Sequence, residues 1–378
     1  MLYKCNTLLY NYRWIFSKIF GKAPTNTKIS EKAAHCRFPK IRKTKNNASR
    51  TRSGGTNPMN DILKQIGDYG IVPVIKIEDA EKAVPLAKAL AKGGLPLAEV
   101  TFRTKAAAQA IKNITEAMPE MLVGAGTVLT TEQVDQAIAA GSKFIVSPGF
   151  NPKIVKYCIE KGIPVCPGCA TCGEMEQAME LGLDVVKFFP AEAIGGLNVI
   201  KSVSAPYSNL KFMPTGGINE ENILAYLKNP KILACGGSFM VKDALINAGK
   251  FDEIEKLTRN AVALMHGFEI IHVGINSENK EEAEKTANLL CKLFILEPDV
   301  RSKATFAGTK FEVMHLPFRG KNGHIALGCN FPDRARSYLE RLGIEFDEST
   351  ATYDEKGKLK VVYMKDDIGG FAFHLIQK

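Results

Sequence analysis

Between Gly70 and about residue 268, short runs rich in β-branched and aromatic residues alternate with runs whose apolar residues recur every three to four positions, and the alternation repeats eight times. No other feature limits the fold so tightly. The extended runs fall at residues 71–77, 97–103, 122–128, 144–148, 163–167, 185–190, 211–214 and 232–235, with helical runs such as 80–92, 105–117, 132–140, 152–161 and 174–181 between them. Gly93, Gly141, Gly162 and Gly182 follow helical runs, where glycine commonly closes a helix. Eight such units in about 200 residues predict an α/β fold, a (β/α)8 TIM barrel. An open doubly wound sheet is the alternative, and the missing G-x-G-x-x-G after the first strand counts against it.

In such a barrel the chemistry sits at the C-terminal ends of the strands. There the chain carries Glu99-Val100-Thr101-Phe102-Arg103, Gly126-Thr127, Ser147-Pro148-Gly149 and Asp184-Val185-Val186-Lys187-Phe188-Phe189-Pro190. A lysine inside an apolar strand is costly to bury as an unpaired ammonium, so it is paired, exposed or kept partly neutral. The plain alternative is a strand-end lysine that reaches out to water. Side chains alternate faces along a strand, which puts Glu99, Thr101 and Arg103 on the barrel interior and groups Lys187 with Val185 and Phe189. An inward lysine and an inward carboxylate permit imine chemistry on an oxo acid. A neutral amine attacks the ketone, and the protonated imine becomes an electron sink for breaking the adjacent C–C bond. Glu99 then moves protons as general acid and base, and Arg103 suits the substrate carboxylate as a bidentate partner.

Two glycine pairs follow the last two strands, in Thr215-Gly216-Gly217 and Gly236-Gly237-Ser238. Backbone N–H groups at such turns can cradle a phosphate, in the place where barrels of this class usually hold one. The expected substrate is therefore a phosphorylated oxo acid. Cys166, Cys169 and Cys172 have CxxC spacing twice, but no fourth thiol lies nearby, so they read as packing and loop thiols rather than a metal or redox centre.

The net charge of +10 looks like a nucleic-acid signal until it is located. The first 58 residues carry thirteen lysines and arginines against one acid, Glu31, so the remainder is slightly acidic and no nucleic-acid partner is expected. Residues 1–58 read as a disordered basic extension, with an upstream start codon ahead of Met59 as the favoured account and an organelle-targeting segment as the second. Nine cysteines without a secretory signal, and no apolar run of about 18 residues, point to a cytoplasmic setting with no membrane partner.

Seven blocks occur in one order within residues 59–268: Val72-Pro73-Val74-Ile75, Glu99-Val100-Thr101-Phe102-Arg103-Thr104, Val123-Gly124-Ala125-Gly126-Thr127-Val128-Leu129, Ser147-Pro148-Gly149, Lys187-Phe188-Phe189-Pro190-Ala191-Glu192, Pro214-Thr215-Gly216-Gly217-Ile218 and Gly236-Gly237-Ser238. Through them this region resembles the 2-keto-3-deoxy-6-phosphogluconate (KDPG) / 4-hydroxy-2-oxoglutarate (KHG) aldolase family of metal-free class I lyases. The resemblance implies Lys187 as the Schiff-base lysine and Glu99 as the proton-transfer residue. It places Arg103, Thr127 and Pro148 around the pyruvate moiety and Gly216, Gly217 and Ser238 at the phosphate. It further implies a homotrimer, no metal and no cofactor beyond the covalent imine. The implied reaction cleaves 2-dehydro-3-deoxy-6-phosphogluconate to pyruvate and glyceraldehyde 3-phosphate, with 4-hydroxy-2-oxoglutarate as a second substrate. A phosphate-binding barrel enzyme without an imine, and a ligand sensor, are the alternatives. Lys76 stands at the first strand end, where an arginine or a small residue would also fit the family.

Residues 269–378 carry a shorter pattern that occurs twice. Extended residues 270–275, a helix at 281–293 and extended residues 309–314 are echoed by 323–328, a helix at 333–342 and 371–376. This resembles the paired βαβββ modules of the vicinal-oxygen-chelate (glyoxalase-like) superfamily, a smaller α+β domain. The resemblance implies metal ligands on the first and last strand of each module, which picks out His272, Glu312, His324 and His374, a mix suited to a divalent transition metal. His374 stands where glyoxalases usually have a carboxylate, and the alternative is that these strand histidines are structural residues and hold no metal.

Overall fold

The computed structural model describes residues 61–378, and the basic extension read at 1–58 lies outside the described residues. Parallel strands β1 (Ile71–Ile75), β2 (Leu97–Thr101), β3 (Leu122–Gly126), β4 (Ile145–Val146), β5 (Val165–Cys166), β6 (Gly168–Cys169), β7 (Val185–Phe188), β8 (Lys211–Pro214) and β9 (Cys235–Gly237) alternate with helices. They form a six-stranded sheet, β5-β4-β3-β2-β1-β9, and a three-stranded one, β6-β7-β8. β5 and β6 are one strand position interrupted at Pro167, which has no N–H to give the ladder. Parallel bridges Phe212–Ile232 and Thr215–Gly236 join β8 to the β9 side. The result is an α/β barrel whose eight strand positions run in chain order.

Burial on both faces explains the near-continuous apolar runs of these strands. Several strands stop earlier than the sequence suggests. The second ends at Thr101 rather than 103, the third at Gly126 rather than 128, and the sixth extended run at Phe188 rather than 190. The residues beyond these ends belong to loops, and Thr127 takes a left-handed conformation with φ 56°. Gly141, Gly162 and Gly182 have positive φ just past helix ends as expected, whereas the left-handed turn expected at Gly93 is made by Gly94.

The chain then forms β10 (Glu269–Asn276), helix Lys280–Phe294, β11 (Pro298–Val300), β12 (Ala304–Ala307) and β13 (Phe311–Met314). The set repeats as β14 (Gly323–Cys329), helix Pro332–Arg341, β15 (Phe346–Tyr353), β16 (Leu359–Met364) and β17 (Phe371–Gln377). One sheet, β11-β12-β13-β10-β14-β17-β16-β15, holds all eight strands. In each βαβββ half the first strand pairs in parallel with its own last strand, and antiparallel pairing of β10 with β14 joins the halves.

Helix Pro332–Arg341 packs on the N-terminal end of the barrel. Arg334 donates from Nε to the Gly67 carbonyl (2.9 Å) and from Nη2 to the Leu233 carbonyl (3.0 Å), both of which precede barrel strands. The Arg341 guanidinium lies 4.4 Å from the Tyr69 ring centroid. The second sheet is thus fixed to the end of the barrel opposite the C-terminal strand ends. His266 sits in this joint against Phe268 and Tyr338, at ring-centroid distances of 5.1 and 4.7 Å, and neither ring nitrogen has a hydrogen-bond partner among the described residues.

Burial, aided by Arg341 and Arg334, holds the pKa of His266 down at about 3. A folded-state value below the unfolded one means that the neutral ring is favoured. Stability from His266 is complete above about pH 6.5 and is lost as pH falls toward 3. Urea unfolding is expected to show about 2 kcal/mol more loss between pH 7 and pH 4.5 for the natural protein than for His266→Phe. Equal losses would contradict this.

Candidate active site

Lys187 is placed by β7, where its neighbours in register are Gly168 of β6 and Met213 of β8. Its backbone N–H donates to the Pro167 carbonyl, and the residue is only 5 % exposed. The Nζ lies 3.7 Å from Oε1 of Glu99 and 5.0 Å from the centroid of the Phe189 ring. Glu99, on β2, is completely buried, and neither carboxylate oxygen accepts a hydrogen bond from the described residues. A buried charge normally collects several donors. This one faces a single ammonium beyond hydrogen-bond distance, which leaves its oxygens free to take and return a proton.

The neighbouring strand ends close around the pair. Gly126 of β3 lies beneath the carboxylate, where a Cβ would come 2.2 Å from Glu99 Oε1. Thr127 follows it immediately. On the other side, a Cβ on Gly168 would come 2.0 Å from the Pro148 carbonyl oxygen, so Pro148 abuts the register neighbour of Lys187. Arg103 differs from its expected position on the interior face of the strand. It lies past the end of β2, exposed, with Nε donating to Thr101 Oγ1 at 3.0 Å, while the Thr101 hydroxyl donates to the Ile75 carbonyl at 2.7 Å. Because β2 stops at Thr101, the alternation that would have pointed Arg103 inward no longer applies. Lys76 is engaged by acids, with Glu78 at 2.6 Å and Asp243 at 3.9 Å.

The two glycine pairs meet beside this centre. Thr215 bridges to Gly236, where a Cβ would come 2.3 Å from Thr215 Oγ1. Gly216 and Gly217 take φ values of 99° and 81°, which side-chain-bearing residues rarely adopt. Gly237 and the exposed Ser238 follow Gly236 directly. The Ala191 and Glu192 N–H groups donate to the Thr215 and Gly216 carbonyls, at 2.8 and 3.1 Å, so the loop after Lys187 and the glycine turn are held together. Cys166 and Cys169 are buried, and burial pushes both thiols up to about 12, while Cys172 is exposed at the start of its helix.

Residue types alone did not show the role of Thr101 in holding Arg103 or the space Gly126 leaves for Glu99. The small residues of Gly124-Ala125-Gly126, beside a strand with an inward glutamate, were the available signal.

In the second sheet, His272, His324 and His374 bring their ring nitrogens within 4.8 Å of one another. Oε2 of Glu312 lies 3.2 Å from His272 Nε2 and 3.1 Å from His324 Nε2. Burial raises the Glu312 pKa, but hydrogen bonds from the two histidines outweigh it and hold the group at about 2. Burial and the neighbouring His324 lower His374 to about 4, so it is neutral with a lone pair to offer. Gly274 makes room for this arrangement, since a Cβ there would come 2.1 Å from the His324 ring.

The family model described as KDPG and KHG aldolase matches residues 62–257. Over 204 residues the chain is 48% identical to the 2-dehydro-3-deoxy-phosphogluconate aldolase of Treponema pallidum (strain Nichols), covering 54% of this chain and 97% of that protein. It is 44% identical over 192 residues to the KHG/KDPG aldolase of Escherichia coli (strain K12), covering 51% of this chain and 90% of that protein. Among solved structures it is similar to the KDPG aldolase from Legionella pneumophila, in which pyruvate was captured as a covalent carbinolamine intermediate. That likeness has a TM-score of 0.52 at 36% identity and covers 53% of this chain and 97% of the other.

Proposed function

The chain belongs to the KDPG and KHG aldolase family, and on that premise we propose that it is a class I lyase acting through an imine at Lys187. It cleaves 2-dehydro-3-deoxy-6-phosphogluconate to pyruvate and glyceraldehyde 3-phosphate. The observation that carries this reading is the buried Lys187–Glu99 pair at 3.7 Å. The Lys187 amine adds to the substrate C2 ketone, and the carbinolamine loses water to give the protonated imine. Glu99 takes the proton from the C4 hydroxyl as the C3–C4 bond breaks, releasing the aldehyde and leaving an enamine. The same carboxyl returns the proton to C3, and water then hydrolyses the imine to free pyruvate. Thr127, Pro148 and Arg103 hold the pyruvate moiety. Thr215, Gly216, Gly217, Gly236, Gly237 and Ser238 form the phosphate cradle. 4-Hydroxy-2-oxoglutarate, the second substrate, carries no phosphate and leaves the cradle unused. The enzyme works as a homotrimer in the cytoplasm, and among the described residues no helix is long and apolar enough to cross a membrane. Borohydride reduction in the presence of pyruvate, followed by peptide mass mapping, is expected to mark the peptide containing Lys187. An adduct elsewhere, or none, would overturn the mechanism.

A second reading concerns the βαβββ pair, taken as a glyoxalase-like domain over residues 269–378 that binds a divalent transition metal. Its support is the convergence of three imidazoles and one carboxylate, a donor set suited to such an ion. His272, Glu312, His324 and His374 would hold it. Titration with zinc, cobalt or nickel is expected to raise the melting temperature, by an amount corresponding to about 2.7 kcal/mol at a hundredfold excess over Kd. His324→Ala and Glu312→Gln should abolish the rise, and an equal rise in both variants would rule out this ligand set.

A further inference from the structure

Beside the glycine turn proposed to hold phosphate lies a carboxylate. The Glu192 N–H donates to the Gly216 carbonyl at 3.1 Å, which fixes the Glu192 backbone against the turn. A Cβ added to Gly217 would come 2.6 Å from both Cβ and Cγ of Glu192, so the stem of the glutamate rests on the turn itself. A negative charge free to swing over that turn repels a phosphate dianion. Tyr226 is bonded to that carboxylate. Its hydroxyl donates to Glu192 Oε1 from helix Ile223–Leu227. The bonded pair sits over Gly196, where a Cβ would come 2.7 Å from both Glu192 Oε1 and the Tyr226 hydroxyl. Gly196 opens helix Gly196–Val203, an end at which a carboxylate is electrostatically favoured. Tyr226 is only 2 % exposed, so its ring cannot follow the glutamate outward. Burial and the adjoining carboxylate raise the phenol pKa, which keeps the hydroxyl a donor at neutral pH.

We propose that Tyr226 is a positioning residue that tethers Glu192 away from the phosphate cradle, and that this tether sets the preference for phosphorylated over unphosphorylated substrate. The proposal rests on the phosphate-cradle reading above.

The test measures KM and kcat for 2-dehydro-3-deoxy-6-phosphogluconate and for 4-hydroxy-2-oxoglutarate. Tyr226→Phe is expected to raise KM for the phosphorylated substrate about fivefold, with kcat little changed and the unphosphorylated substrate unaffected. Adding Glu192→Gln to Tyr226→Phe should bring that KM back within about twofold of the natural protein, because no charge is left to misplace. If Tyr226→Phe does not fold, Glu192→Asp keeps the charge but shortens its reach and should reproduce the selective KM rise, whereas Glu192→Gln alone should not. Equal KM changes for both substrates, or no rescue in the double variant, would overturn the tether. Ser238→Ala separates the two levels of argument. If it leaves both KM values unchanged the cradle itself is wrong, whereas a selective effect of Ser238→Ala with none from Tyr226→Phe removes the tether alone.

Discussion

Lys187→Met is expected to lower kcat/KM for aldol cleavage by about 10⁴-fold or more and to abolish borohydride trapping of pyruvate. Methionine keeps most of the length and the apolar stem, so the loss isolates the amine. The same change removes the one cation beside Glu99, which is fully buried and accepts no hydrogen bond from the described residues. A buried charge stripped of its partner costs about 3 to 5 kcal/mol, so the variant is also expected to melt at a lower temperature. The two effects separate in Lys187→Met/Glu99→Gln. Neutralising the carboxylate should restore much of the melting temperature while leaving cleavage and trapping absent. Activity that returned together with stability would show that Lys187 acts through packing and that another group forms the imine.

What could be read before the structure followed from period and chemistry. Val185 and Lys187 alternate with their buried neighbours inside β7, and the Nζ lies 5.0 Å from the ring of Phe189 just past its end. The order of the barrel strands was equally accessible, because right-handed βα units place successive strands side by side. Strand ends were not. Thr101-Phe102-Arg103 has strong strand character, yet the ladder stops at Thr101, and nothing local in the sequence announces that stop. The pairing of β10 with β14, the docking of Arg334 on Gly67 and Leu233, and the Glu192–Tyr226 bond all join residues far apart in the chain. Such contacts arise from closure of the fold, which periodicity does not report. The tail illustrates both cases. Its histidines could be picked out by matching two halves, whereas the space that Gly274 leaves for the His324 ring exists only once β10 and β14 pair.

Glu99→Gln is expected to lower kcat by about 10²- to 10⁴-fold while leaving more of the borohydride trapping than Lys187→Met does. Glutamine matches glutamate in size and still fits over Gly126, so the variant removes proton transfer without emptying the site. On the proposed mechanism carbinolamine formation starts from the lysine and should survive in part, whereas breaking C3–C4 and reprotonating C3 should both need a carboxyl that can exchange a proton. Exchange of the pyruvate methyl hydrogens with deuterated solvent, followed by NMR, reads the second of these steps alone and should fall in parallel with cleavage. Gly126→Ala approaches the same group by geometry. The added Cβ would lie 2.2 Å from Glu99 Oε1, so the carboxylate must move, and displacement of a reacting group by about 1 Å can itself cost about 10²-fold. Both variants should therefore lose deuterium exchange. If exchange persists in Glu99→Gln at the natural rate, the proton carrier is a different residue or a water, and the closeness of Glu99 to Lys187 serves to balance charge.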